Sequence, residues 1–177
     1  MKEIEVRAKL EKDEYEELLE RLKKELPDFK VETHLTFHSV KDEKDIRIRL
    51  FNDDYYMLTL KEGTMSDNVR EEIEFRFDKS EINSVIDFLK SFGFDDFVKW
   101  EKPARHKFKK NGISIDLDDI SGFGYFVEFE KVTDEDETVV IEELREMLNS
   151  YNLEEIPLET YLHEVEEYML KNKVDLQ

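Results

Sequence analysis

Eight stretches of the chain alternate apolar and polar side chains with a period of two, and four others repeat their apolar residues at helical spacing. The alternating stretches lie at 2–10, 31–39, 44–51, 55–62, 69–77, 105–110, 113–118 and 124–131, as expected of strands with two unlike faces. Asn52-Asp53-Asp54 and Asn111-Gly112 interrupt the alternation with turn formers and predict antiparallel hairpins. The first helix is expected from about Asp13 to Leu26, with Tyr15, Leu18, Leu19 and Leu22 on one stripe and Asp13 with Glu16 as a capping box. A second runs from Ser80 to near Gly93 with Ile82, Val85, Ile86 and Leu89 on one face. A third starts about Thr138 and aligns Val140, Ile141, Leu144, Met147, Leu148 and Tyr151; a fourth follows Pro157 with Tyr161, Val165, Tyr168 and Met169. With no linker, repeat or low-complexity tract, residues 1–170 form a single domain, and 171–177 are predicted to be a frayed tail.

The charged face of each strand is the informative one. Glu3, Glu5, Arg7 and Lys9 stand opposite Ile4, Val6, Ala8 and Leu10; Asp45, Arg47 and Arg49 stand opposite Ile46, Ile48 and Leu50. Lys61 is in phase with Thr59 and Met57. Further along come Arg70, Glu72, Glu74 and Arg76, then Ser114, Asp116 and Asp118, then Phe126, Glu128 and Glu130. Two arrangements accommodate this. The charged faces point to water, as in an ordinary half-buried sheet, or the sheet curls so that they line a tunnel while its apolar faces pack under the four helices. A tunnel of mixed charge is expensive unless a polyanion and divalent cations occupy it: carboxylates take Mg²⁺ or Mn²⁺, and Arg and Lys take phosphate oxygens.

Composition narrows the partners. Acidic residues number 46 against 27 basic, a net charge of −19 over 177 residues, which disfavours nucleic acid and anionic membranes. No apolar run approaches the ~20 residues of a membrane span, and the N-terminal residues lack the charged-then-apolar pattern expected of a signal. Zero cysteines exclude disulfides and thiolate chemistry, consistent with a cytoplasmic protein. An exposed apolar helix face leaves room for a homodimer.

Glu3-Ile4-Glu5-Val6-Arg7-Ala8-Lys9 resembles the Glu-x-Glu-x-Lys motif of the CYTH superfamily, the triphosphate tunnel metalloenzymes. The resemblance continues in order through Ile46-Arg47-Ile48-Arg49, Leu58-Thr59-Leu60-Lys61, Arg70-Glu71-Glu72-Ile73-Glu74 and Lys102-Pro103-Ala104-Arg105. It ends with Asp118 through Gly122-Phe123-Gly124, Phe126-Val127-Glu128-Phe129-Glu130 and Thr160-Tyr161-Leu162. It implies an α+β fold: a closed eight-stranded, mostly antiparallel β-barrel with helices outside. By the same resemblance Glu3, Glu5, Arg7, Glu128 and Glu130 are catalytic, and Glu3, Glu5, Glu72, Glu74, Asp118, Glu128 and Glu130 hold Mg²⁺ or Mn²⁺. Arg7, Lys9, Arg47, Arg49, Lys61, Arg70, Lys102 and Arg105 would bind a small-molecule triphosphate.

Some positions depart from the pattern. Arg7 replaces the motif lysine and cannot exchange a proton as lysine does. Lys102 and Arg105 are spaced by three where the family uses two, and Pro103 suggests a bulge. His34, Thr36 and His38 occupy the second strand in phase, read as tunnel lining or outward-facing; His106 and His163 read as surface, and Trp100 as packing. The resemblance implies a triphosphatase acting on inorganic, thiamine or nucleoside triphosphate. A class IV adenylyl cyclase is the alternative, and a non-catalytic polyphosphate binder a further one. The cyclase branch often carries His-Phe ahead of the first glutamate motif, whereas Met1-Lys2 stands there in this sequence, which favours hydrolysis.

Overall fold

The computed structural model describes every residue except Met1, Glu43, Gly63–Asn68 and Gln177, and the side chains of Glu62, Val69, Arg70 and Glu71 also lie outside it. Eight long strands are present: β1 (Lys2–Leu10), β2 (Lys30–Lys41), β3 (Lys44–Phe51), β4 (Tyr55–Glu62), β5 (Val69–Phe77), β6 (Phe97–Lys110), β7 (Ile113–Ile120) and β8 (Gly124–Thr133). A two-residue β9 (Lys173–Val174) pairs with the start of β6, so the C-terminal segment is not simply frayed. The helices are α1 (Lys12–Glu25), α2 (Ile82–Ser91), α3 (Glu137–Ser150) and α4 (Leu158–Lys171). The first one starts earlier than expected: Glu11, not Asp13, is its N-cap, and the Glu14 carboxylate accepts from the Glu11 N–H at 2.8 Å. Asp136 caps α3 by accepting from the N–H groups of Thr138 and Val139. Both predicted hairpins form, with positive φ at Asn52, Asp53, Asn111 and Gly112, the conformation those residues tolerate.

All strand pairings are antiparallel, in the order β2-β3-β4-β5-β1-β8-β7-β6, and β2 also pairs with β6. The sheet is therefore strongly curled. It forms a half-barrel and not the closed barrel expected from the sequence; among the described residues β1 and β5 pair at Glu3–Arg70 and Ile4–Val69. Farther along β1, the Ile156 N–H of the α3–α4 connection donates to the Arg7 carbonyl at 3.0 Å.

The apolar faces of the strands look outward and the helices cover them. Tyr15, Leu18 and Leu22 of α1 and Val140, Leu144 and Leu148 of α3 pack on Ile4, Val6, Ile115, Leu117, Val127 and Phe129, all buried. Ile86 and Leu89 of α2 form a second cluster with Ile46, Ile48, Phe77 and Phe97. β6 begins eight residues before the stretch that alternation predicted. Pro103 and Ala104 break its period: between His34 and Glu32, two residues apart on β2, β6 advances three, from Lys102 to Arg105. Inside and outside are thus reversed relative to a half-exposed sheet. Leu144→Ala should cost about 2–5 kcal/mol of stability, read from urea unfolding, because the residue is wholly buried in the larger cluster.

Candidate active site

The inward faces of the strands enclose a cavity of about 660 Å³. Among the described residues, seven cationic and seven carboxylate side chains line it. β1 contributes Glu3, Glu5 and Arg7; β3 Arg47 and Arg49; β4 Lys61; β5 Glu72 and Glu74; β8 Glu128 and Glu130. The odd step in β6 lets Lys102 and Arg105 both face inward despite their spacing of three. Tyr161 and Val165 of α4 cover part of the lining.

Most of the charges neutralise one another. Arg105 donates to Glu128 at 2.6 Å and lies 3.1 Å from Asp116 and 3.2 Å from Asp118. Arg7 pairs with Glu5, lies 3.9 Å from Glu128, and stacks over Tyr161 at 4.3 Å. Lys61 bridges Glu3 and Glu72, each at 3.1 Å, and Lys102 pairs with Asp118. Arg47 engages both oxygens of Asp45, at 3.1 and 2.7 Å, and His38 reaches the same carboxylate at 2.7 Å. Burial pulls Arg7, Arg47 and Arg105 down, but their carboxylate neighbours outweigh it and hold each above its ordinary value. Burial likewise pushes Glu128 up, and Lys102, Arg105 and Arg7 outweigh it, so its carboxyl stays well below the usual range.

Among the described residues, Arg49 and Glu130 are lining charges without an ion pair. Arg49 is held down to about 10 by burial and by Arg47 and Arg105, and among the described residues it has no ion pair. Glu130 is pushed up to about 7 by burial and by Glu3, Asp116 and Glu128, and burial raises Glu3 as well. The cavity therefore offers one locus for an anion and another for a cation. Oxygen-only donors around Glu3 and Glu130 suit a hard divalent metal. Among the described residues no three of them already converge as a ligand set.

The model of the CYTH domain matches residues 1–160. The chain belongs to the CYTH family. A Methanocaldococcus jannaschii relative, named as a proposed adenylate cyclase, is 31% identical over 162 residues, covering 85% of this chain and 90% of the relative. A solved Pyrococcus horikoshii protein superposes with a TM-score of 0.74 at 25% identity, over 93% of this chain and 98% of that one. A Hippeastrum structure, described as a proposed adenylyl cyclase with a dominant triphosphatase activity, gives a TM-score of 0.57 at 20% identity, covering 87% and 89% of the two chains.

Of the residues expected in this CYTH site, twelve line the cavity: Glu3, Glu5, Arg7, Arg47, Arg49 and Lys61, with Glu72, Glu74, Lys102, Arg105, Glu128 and Glu130. Lys9 does not: it is 39% exposed and pairs with Glu164 of α4 at 2.8 Å, because it lies past the end of the cavity opposite Phe126. Asp118 is fully buried behind the lining, where it fixes Lys102 and Arg105, so it braces those two side chains rather than facing the cavity. Arg70 pairs through its backbone with Glu3, but its side chain lies outside the described residues. Trp100, expected only to pack, stacks on Tyr168 at 4.2 Å and also borders the cavity. His34, Thr36 and His38 line it rather than facing outward. Lys107 was missed as lining, its phase with Arg105 being the available signal; Asp116, already read on the charged face of its strand, joins the lining.

Glu130 gives a pH prediction. A carboxyl raised in the folded state binds more protons folded than unfolded, so it lowers stability as pH rises from about 4.5 to about 7. In metal-free buffer, Glu130→Gln should be more stable than wild type by about 1–3 kcal/mol at pH 8. That advantage should vanish near pH 5 in urea titrations.

Proposed function

We propose that the chain is a metal-dependent phosphohydrolase acting on a short triphosphate, and the observation that carries this is Arg49. A guanidinium held beside Arg47 and Arg105 with no carboxylate partner among the described residues is a poor structural element and a good anion anchor. Arg105, Lys102 and Lys61 would complete a clamp along the triphosphate as it displaces their carboxylate partners. Arg7 would hold a phosphoryl oxygen as a fixed charge, with Tyr161 orienting its plane.

Glu3, Glu5, Glu128 and Glu130 would hold Mg²⁺ or Mn²⁺, with Glu72 and Glu74 alongside. Glu5 and Glu128 would have to leave their present arginine partners to join that set. When bound, such a metal supplies charge neutralisation at the phosphoryl oxygens and a polarised water. The protein's own work is to hold the chain of phosphates in line with the attacking oxygen. It also spreads the charge that develops on the departing bridging oxygen over Arg and Lys. The Hippeastrum neighbour's triphosphatase activity supports hydrolysis.

Cyclisation of a nucleoside triphosphate is the second reading, favoured by the name of the Methanocaldococcus relative. There a ribose hydroxyl replaces water at the phosphorus nearest the sugar, and pyrophosphate leaves.

The purified protein with Mg²⁺ or Mn²⁺ should release orthophosphate from inorganic triphosphate, thiamine triphosphate or ATP. Cyclic AMP with pyrophosphate from ATP would instead establish the second reading, and neither product would refute both. Glu128→Gln should lower kcat by roughly 100-fold or more with a smaller change in triphosphate affinity. Arg49→Ala should chiefly raise the Kd, by about tenfold or more.

A further inference from the structure

One cavity residue has no part in the clamp or the metal set. His34 is only 3% exposed, and its ring meets Phe51 edge-on at 4.4 Å. Its Nε2 lies 3.0 Å from the Glu32 carboxylate. A carboxylate only accepts, so Nε2 carries the hydrogen of the neutral ring and Nδ1 is a bare lone pair. That Nδ1 is buried and has no hydrogen-bond partner among the described residues.

The charged groups facing this ring are Glu32 on its own strand, Arg49 on β3, and Lys102, Arg105 and Lys107 on β6. Burial first, and then those four cations, pull the imidazole down to about 2, so the ring is neutral in the ligand-free cavity. An orphaned acceptor ringed by cations is an odd thing to bury. It makes sense if the cations are to be neutralised by something else.

A polyanion on Arg49, Lys102 and Arg105 would do so, and would remove the electrostatic cause that keeps the ring neutral. It would also bring phosphoryl oxygens, themselves acceptors, towards the Nδ1 lone pair. Two acceptors repel unless a proton sits between them, and Glu32 on Nε2 already stabilises the imidazolium that such a proton would create.

We propose that His34 is a proton-coupled phosphate contact: a polyphosphate entering the cavity brings a proton from solvent onto Nδ1, and the new N–H donates to a phosphoryl oxygen. The Nδ1 lone pair forms the bond to that proton, and no other bond is made or broken in the protein. The inference rests on the polyphosphate reading of the cavity. Its consequence is that affinity rises as pH falls through neutrality, because the bound state holds the extra proton.

Calorimetric titration with inorganic triphosphate, in buffers of different ionisation enthalpy, counts the protons taken up. Wild type should take up roughly half a proton to one proton more per bound triphosphate than His34→Asn near pH 7. Its affinity should also rise about tenfold more than the variant's between pH 8 and pH 6. Imidazole ¹⁵N spectra of the wild type give the same answer should the variant not fold. His34 should read as the neutral Nε2–H tautomer alone and as imidazolium once saturated. Triphosphate binding with equal proton uptake in both proteins, or with a ring that stays neutral, overturns the inference and leaves the cavity's reading intact. No triphosphate binding at all overturns both.

Discussion

Charge neutrality inside the curled sheet is the condition on which the rest of the molecule depends. Removing an ion from water costs several kcal/mol, and only a close partner offsets it. Among the described residues the lining meets this condition almost entirely from within, seven cations against seven carboxylates, while the chain as a whole carries −19. The excess negative charge is therefore outside the cavity. Arg105 is the clearest case of the internal balance, one guanidinium serving Asp116, Asp118 and Glu128. A charge cluster of this kind is preorganised, because its partners already hold each side chain in place.

The helices make this possible by taking the apolar faces of the strands. With Ile4, Val6, Ile115, Leu117, Val127 and Phe129 under α1 and α3, the opposite faces have nowhere to point but inward. The α3–α4 connection does a second job. Ile156 satisfies the Arg7 carbonyl, and Tyr161 lies under the Arg7 guanidinium. Backbone and side chain of one residue are thereby fixed by the same segment.

The period-two alternation made the strands legible, and residues in phase along a strand revealed most of the site. Glu3, Glu5 and Arg7, or Arg47 and Arg49, share a face for no reason except the pleat. The failures are equally physical. Lys9 keeps the phase of Arg7, but phase does not say where a cavity ends. The first half of β6 was invisible because the extra residue at Pro103-Ala104 resets its alternation. His34 and Trp100 are single residues, and an isolated side chain carries no pattern; their place follows from the β2–β6 pairing of sequence-distant strands.

The irregular step in β6 constrains how this chain can drift. On the Arg105 side of the kink the inward positions are odd-numbered, and on the Trp100 side they are even-numbered. Excising one residue at Ala104 would restore a regular ladder and swing Trp100 and Lys102 through half a turn, out beneath the solvent-side layer. The indole would abandon its stack on Tyr168, and Asp118 would lose its ammonium. Length at this point of the strand is thus as strictly specified as the identity of any charge beside it.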